Sequence, residues 1–142
     1  MTILSLDTNV LIDVANGRRS DVRQRFDEAV LRGDVLATCS ISAHELLYGA
    51  AISRRPEVET RTATTLLDQL LVADFTREDA AAAADVRKRL RGLGQGIGTF
   101  DTLIAAQALA RGWAMVTANV REFGRVAGLS VIDWTRPSAG AP

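Results

Sequence analysis

Asp7, Glu45, Asp101 and Asn119 are oxygen-bearing side chains that occur where apolar stretches of the sequence meet helical ones. Two carboxylates about 4 Å apart repel each other by roughly 4 kcal/mol at an effective dielectric near 20, so converging acids need cations or must take up a proton. The chain contains one cysteine and one histidine, so a metal site built from these residues would have oxygen ligands. Oxygen ligands favour Mg²⁺ or Mn²⁺ over zinc. Such ions activate water and neutralise phosphate oxygens, so these residues predict metal-dependent phosphodiester hydrolysis.

Each of these residues also has an ordinary structural interpretation. Ser42 and Glu45 match an S-x-x-E capping box at the start of a helix. Asp101 would complement a helix N-terminus, an effect of about 0.3–1 kcal/mol, and Asn119 is placed like a helix N-cap. Asp7 closes an apolar segment and has no such role beyond the turn that follows it. The residue types alone leave both interpretations open.

The elements that would position these side chains alternate along the chain. Short apolar runs predict strands at 3–6, 35–39, 71–75, 114–117 and 129–132. Helical spacing and capping signals predict helices at 20–32, 42–54, 57–70, 76–93 and 99–111. This alternation predicts a parallel sheet with helices on both faces. Ligands bind such sheets at the carboxyl ends of the strands, where the four polar residues are expected to lie.

Length and composition restrict the class of protein. A chain of 142 residues fits one domain, and its single cysteine, Cys39, is expected to be a small buried residue in a reducing compartment. The sequence shows no signal peptide and no apolar run of about 20 residues, so we expect a cytoplasmic protein without a membrane span. The 17 basic and 17 acidic residues give zero formal charge, unlike most nucleic-acid-binding proteins. Acids gathered at a metal site would leave the remaining surface net basic.

Four segments of the chain resemble, in order and spacing, the motifs of PIN-domain ribonucleases of the VapC type. They are LSLDTNVLI at 4–12, ISAHELLYG at 41–49, GIGTFDTLIAA at 96–106 and VTANVREF at 116–123. The resemblance covers nearly the whole chain to about Trp134. It implies a three-layer α/β/α sandwich with a central, mainly parallel sheet, formed by a PIN domain over 1–135. A C-terminal tail at 136–142 is predicted to be flexible.

The resemblance also implies a function. Small chains with this pattern are mostly endoribonuclease toxins that form homodimers and are neutralised by a VapB-type antitoxin. The resemblance implies that the catalytic, metal-binding acids are Asp7, Glu45 and Asp101, and that the metal is Mg²⁺ or Mn²⁺. It also implies that the substrate is a cellular RNA, either tRNA or rRNA. Family members often have a fourth acid where this chain has Asn119, an amide that can still ligate a metal or its water. We therefore expect one tightly held ion, with a second recruited together with the substrate.

Two further residues are expected to orient the acids. Asn9 follows the first predicted strand and Thr117 ends the fourth, and both carry side chains that can hydrogen-bond to a ligating carboxylate. The basic run at 87–91 is interpreted as a solvated helix face or, alternatively, as part of an RNA-binding rim. The glycine-rich run at 92–98 matches no nucleotide-binding motif and is interpreted as a flexible connector beside the site.

Other functions fit the sequence less well. A phosphate-accepting signalling domain would need an acid such as Asp74 and a nearby lysine, but Lys88, the one lysine, falls within a predicted helix. A haloacid-dehalogenase-type phosphatase would carry an acid where Asn9 stands. Asn119 leaves open a catalytically weak PIN domain that acts as an RNA-binding regulator, and DNA is an alternative substrate. The zinc-protease motif H-E-x-x-H is absent, because Tyr48 occupies the position of its second histidine.

Overall fold

Five short strands form one parallel sheet at the centre of the protein. A computed structural model describes residues 2–137. The strands are β1 (Ile3–Leu6), β2 (Val35–Cys39), β3 (Leu71–Ala73), β4 (Ala114–Val116) and β5 (Val131–Ile132). Their spatial order is β3-β2-β1-β4-β5, and every neighbouring pair is parallel. The predicted parallel sheet is therefore confirmed, with β3, β4 and β5 shorter than the apolar runs that indicated them.

Helices cover both faces of this sheet. Within residues 2–137 they are α1 (Thr8–Asn16), α2 (Ser20–Leu31), α3 (Ser40–Ala51), α4 (Pro56–Asp68), α5 (Arg77–Gly92), α6 (Thr99–Arg111) and α7 (Val120–Phe123). One hydrophobic core lies between the sheet and helices α1 to α4, and a second lies between the sheet and helices α5 to α7. The protein is thus a three-layer α/β/α sandwich, as the sequence predicted.

The alternation of side chains along the strands divides the two cores. Leu4 and Leu6 of β1 enter the core with α1 to α4, whereas Met115 of β4 enters the core with α5 to α7. Ser5 lies between the two leucines, is paired in register with Ala37 and Met115, and is buried. Strands covered on both faces carry nearly continuous apolar sequence, which is why short apolar runs indicated them correctly.

Several element boundaries differ from the sequence-based prediction. Helix α1 was not predicted, because the segment after Asp7 resembles a turn; yet Val10, Leu11 and Val14 follow helical spacing and are buried. Helix α3 begins at Ser40, two residues earlier than expected, and α4 begins at Pro56, a residue suited to the first turn. Residues 138–142, most of the predicted tail, lie outside the described residues.

The order of the strands creates a crevice at one edge of the sheet. From β1 the chain proceeds to β2 and β3 on one side, and later to β4 and β5 on the other. The connections leaving β1 and β4 therefore run in different directions, which opens a crevice at the carboxyl ends of these two strands. Asp7 follows β1 and Thr117 follows β4 at this position. Within residues 2–137, no helix is both long and apolar enough to span a bilayer.

A buried polar cluster joins α5 to α6. The Asp79 carboxylate, whose residue is 2% exposed, accepts hydrogen bonds from the Thr76 backbone at 2.9 Å and the Gln107 side-chain amide at 3.1 Å. Arg111 forms an ion pair with it at 3.0 Å. Burial raises the pKa of Asp79, but these hydrogen bonds and the arginine outweigh it and hold the pKa below its ordinary value. Asp79 is therefore ionised in the folded protein at neutral pH, and its partners stabilise that charge.

We predict that Asp79→Ala lowers the free energy of unfolding by about 3–5 kcal/mol at pH 7, because it leaves Arg111 and Gln107 without their buried partner. Urea denaturation followed by circular dichroism measures this change. Asp85→Ala, an exposed position on the same helix, is the matched control and should change the stability by less than about 0.5 kcal/mol. Equal effects of the two substitutions would contradict a structural role of the Asp79 cluster.

Candidate active site

Asp7 is fixed at the crevice between β1 and β4. It is the N-cap of α1, and its Oδ1 accepts a hydrogen bond from the Val10 backbone at 2.9 Å. Its Oδ2 accepts a hydrogen bond from the Thr117 hydroxyl at 2.5 Å. The residue is 4% exposed. The sequence interpretation missed this capping role, because it did not predict α1. Thr117, which donates to Asp7, is one of the two residues that the sequence interpretation expected to orient the acids.

Glu45 lies in the second turn of α3, not in the first turn as the sequence indicated. Cys39 is the N-cap of this helix, and Ser42 is buried within it, so the capping-box interpretation of Glu45 is wrong. The Glu45 carboxylate instead accepts a hydrogen bond at 2.6 Å from the hydroxyl of Thr8, the first residue of α1. Asp7 and Thr8, adjacent in sequence, thereby connect the acid after β1 to the acid on α3.

Asp101 occupies the first turn of α6, as predicted. Its Oδ2 lies beside the N-cap Gly98, where an added Cβ would be 3.4 Å from that oxygen. Partial burial raises the pKa of Asp101, and the negative charges of Glu122 and Glu45 raise it further. Asp101 in turn contributes to raising the pKa of Asp7. These acids therefore share one electrostatic environment.

Glu122 is a functional candidate that the sequence analysis did not name. It lies on α7, three residues after Asn119, and its Oε2 accepts a hydrogen bond from the Asn119 side-chain amide at 3.0 Å. Asn119 is the N-cap of α7 by position but makes no side-chain capping bond. Asn119 thus holds a carboxylate at the site in place of supplying one. The sequence did contain a signal for Glu122. It is an acid one helical turn after Asn119, and Asn119 comes shortly after a strand.

Asn9 and Thr117 have different positions relative to the acids. Thr117 is buried, donates to Asp7, and accepts a hydrogen bond from the Asn119 backbone at 3.0 Å. Asn9 is exposed on the first turn of α1 and makes no side-chain hydrogen bond within residues 2–137. Asp74 is exposed after β3, an edge strand, and so lies away from the crevice that a phosphate-accepting acid would occupy.

The site is strongly anionic. Burial raises the pKa of Asp7 to about 6; hydrogen bonds from Thr117 and Val10 oppose this, and the charges of Asp101 and Asp13 add to it. The charges that raise the pKa of Asp7 and of Asp101 are those of other carboxylates. An all-oxygen donor set with unbalanced negative charge fits a hard divalent cation such as Mg²⁺ or Mn²⁺. In residues 2–137, no three acidic, His or Cys side chains are close enough together to hold a metal ion.

The sequence profile described as PIN domain matches residues 4–129. This chain belongs to the PIN domain family. Among its relatives, the tRNA(fMet)-specific endonuclease VapC of Shigella flexneri is 35% identical over 130 residues, or 92% of this PIN domain protein and 96% of that one. The Ribonuclease VapC2 of Rickettsia felis is 30% identical and covers 94% of this chain and 99% of that relative.

Solved structures agree with this assignment. The structure of DNA-bound VapBC from Salmonella typhimurium matches this PIN domain with a TM-score of 0.86 and 33% identity, over 94% of this chain and 99% of the other. VapBC2 from Rickettsia felis, bound to a promoter DNA fragment, matches with a TM-score of 0.87 and 27% identity over the same shares. The resemblance to VapC-type PIN domains that the four motifs indicated is confirmed.

The raised pKa of Asp7 predicts a pH-dependent stability. Because the folded protein holds this proton more tightly than the unfolded chain does, the contribution is complete below pH 3.8, declines as the pH rises to about 6, and is lost above that. We predict that Asp7→Asn, which keeps an N-capping oxygen, raises the free energy of unfolding at pH 8 by up to about 3 kcal/mol, since each tenfold change in proton affinity corresponds to about 1.4 kcal/mol.

Urea denaturation in EDTA at pH 4 and pH 8 tests this expectation. The gain of Asp7→Asn over the wild type should be absent at pH 4 and largest at pH 8. Asp85→Asn, an exposed acid on α5, is the control and should show the same stability difference at both values. A gain for Asp7→Asn that does not depend on pH would show that ionisation of Asp7 is not its cause.

Proposed function

We propose that this protein is a metal-dependent endoribonuclease toxin whose activity is neutralised by a VapB-type antitoxin. The observation that carries this proposal is the mutual electrostatic influence of the acids around the crevice between β1 and β4: Asp101 raises the pKa of Asp7, and Glu45 and Glu122 raise the pKa of Asp101. The names of the VapC relatives, endonuclease and ribonuclease, support the same chemistry. The proposed substrate is RNA, and the proposed location of the protein is the cytoplasm.

The residues of the site have distinct proposed roles. Asp7 and Asp101 would ligate Mg²⁺ or Mn²⁺, with Glu45 as a further ligand or as a partner of the attacking water. When bound, such an ion lowers the pKa of water and neutralises charge on the phosphate. Thr117 keeps the Asp7 carboxylate oriented, and Thr8 does the same for Glu45. Asn119 keeps Glu122 at the edge of the site, where its charge adds to the attraction for cations.

The proposed partners follow from the relatives. The solved structures with TM-scores of 0.86 and 0.87 are VapBC pairs, which supports an antitoxin as the partner of this chain. A homodimer is proposed on the family resemblance. The Shigella flexneri relative is named as specific for tRNA(fMet), which supports tRNA over rRNA as the first substrate to test. Matched RNA and DNA oligonucleotides distinguish the proposed ribonuclease from a deoxyribonuclease.

The alternative of a catalytically weak, RNA-binding regulator rested on Asn119. Because Glu122 brings a carboxylate to the same place and is held there by the Asn119 amide, the site has not lost the charge of its fourth position. This charge supports the ribonuclease over the alternative, and metal-dependent cleavage of RNA is the measurement that distinguishes the two.

We predict that Asp101→Asn abolishes RNA cleavage while the protein remains folded, because the substitution removes a proposed metal-binding charge without changing the size of the side chain. The purified protein, free of antitoxin, is incubated with total cellular RNA in Mn²⁺, Mg²⁺ or EDTA. Discrete fragments that need both the metal and Asp101 support the ribonuclease. Glu78→Gln, an exposed acid on α5, is the control and should cleave as the wild type does; full cleavage by Asp101→Asn would rule out the assigned site.

A second experiment counts the ions. We predict one tight Mn²⁺ equivalent per chain in the absence of RNA, because Asn119 adds no negative charge of its own and the Glu122 carboxylate is already engaged by the Asn119 amide. Isothermal titration calorimetry on the wild type and on Asp101→Asn measures the number of sites and their affinity. The tight equivalent should disappear in Asp101→Asn. Two tight equivalents without RNA would contradict the single-ion arrangement.

A further inference from the structure

A groove of about 610 Å³ lies between α5 and the first turn of α6. Its floor is apolar and includes Phe75, Ala83, Leu90, Ile97 and Leu103. Two arginines of α5, Arg87 and Arg91, line it, and both are exposed. The groove thus combines an apolar floor with a cationic rim, which are the two features that bind the bases and the phosphates of an unpaired nucleic-acid strand.

The two arginines are available to bind an anion. Arg87 and Arg91 are four residues apart on α5, so they lie on the same face of the helix, one turn from each other. Neither forms an ion pair with any acid in the described part of the chain, whereas Arg111 at the far end of α6 is paired with Asp79. Unpaired guanidinium groups bind phosphate in bidentate geometry.

The groove is lined in part by the helix that carries Asp101. Thr99 and Thr102, on the first turn of α6, line the groove, and Asp101 lies between them in the sequence. On the opposite side, Gly96 lines the groove and its carbonyl accepts a hydrogen bond from Arg125 at 3.2 Å, three residues after Glu122. The wall of the groove is therefore tied to the same segment that carries an acid of the site.

The overall charge of the protein explains why such a groove is needed. With 17 basic and 17 acidic residues, the protein has no net positive charge to attract RNA, and the acids of the site repel phosphate. Binding of RNA therefore requires local contacts outside the acidic cluster. A cationic rim on a groove that is also lined by α6 meets this requirement, and an apolar floor adds contacts with bases that do not depend on salt.

We propose that this groove binds an unpaired segment of RNA next to the cleaved bond, with Arg87 and Arg91 on successive phosphates and a base on the apolar floor. The inference rests on the proposed ribonuclease function and adds to it the binding surface and the form of the substrate. Bases of an A-form duplex are paired inside the helix and cannot reach the floor, so the groove selects single-stranded loops or ends.

The test compares two double variants with equal loss of charge. Arg87→Gln/Arg91→Gln changes the rim, and Lys88→Gln/Arg89→Gln changes neighbouring positions of α5 that do not line the groove. Both are made in the Asp101→Asn background, which prevents cleavage, and binding of a fluorescent unpaired RNA oligonucleotide is measured by anisotropy at several salt concentrations. Circular dichroism verifies that all variants are folded.

For Arg87→Gln/Arg91→Gln we expect at least about a tenfold loss of affinity and a decrease of about 1.4 in the slope of log K against log salt, because two phosphate contacts are lost from a single strand. Lys88→Gln/Arg89→Gln should change the slope by far less. Duplex RNA of the same sequence should bind more weakly than the unpaired strand, and its affinity should differ little between the two double variants.

Equal effects of the two double variants would overturn the proposal, because only general charge would then be involved. Unchanged affinity and slope for Arg87→Gln/Arg91→Gln would also overturn it and would assign the groove to another occupant, such as an acidic protein segment. If the wild-type protein cleaves RNA while the rim variant binds normally, the groove inference alone fails. If the wild type neither binds nor cleaves RNA with Mg²⁺ or Mn²⁺ present, the proposed function fails with it.

Discussion

The contact between the Thr117 hydroxyl and the Asp7 carboxylate, at 2.5 Å, joins the ends of the two central strands. Asp7 also caps α1, and Thr117 accepts the backbone hydrogen bond that begins the α7 segment. One buried carboxylate thereby sets the start of two helices and the position of the residues that each carries. Thr8 then fixes Glu45, and Asn119 fixes Glu122, so the geometry of the site follows from this junction.

Such a site lowers the stability of the domain. A carboxylate that is buried and near other acids costs free energy at neutral pH, and the raised pKa of Asp7 and of Asp101 reflects this cost. The two hydrophobic cores and the Asp79 cluster supply stability on the two sides of the sheet. A bound cation would relieve the repulsion, so the same charges that weaken the empty fold favour ligand binding.

The sequence predicted the sheet well and the site in part. Strands buried on both faces carry a continuous apolar signal, so the sheet was predicted correctly. Asp7, Glu45 and Asp101 stand in recognisable motifs, so they could be named as candidates from the sequence. Helix α1 was missed because a polar Asp-Thr-Asn segment has the local preferences of a turn, and only packing of Val10 and Val14 decides for a helix. Glu122 was missed because its role depends on Asn119 presenting an acid across one turn. Arg87 lines the groove and Lys88 does not, because they lie on different faces of α5. A run of basic residues in the sequence does not reveal which face meets the groove.

The two edges of the sheet have a consequence for self-association. The edge strands β3 and β5 contain three and two residues, so few backbone N–H and C=O groups remain for an incoming strand. Edge-to-edge pairing between copies, the route by which many exposed sheets aggregate, is thereby limited. The proposed homodimer would therefore use helix surfaces and leave the sheets of the two subunits separate. A chain without the proposed antitoxin would, for the same reason, resist polymerising through its strands.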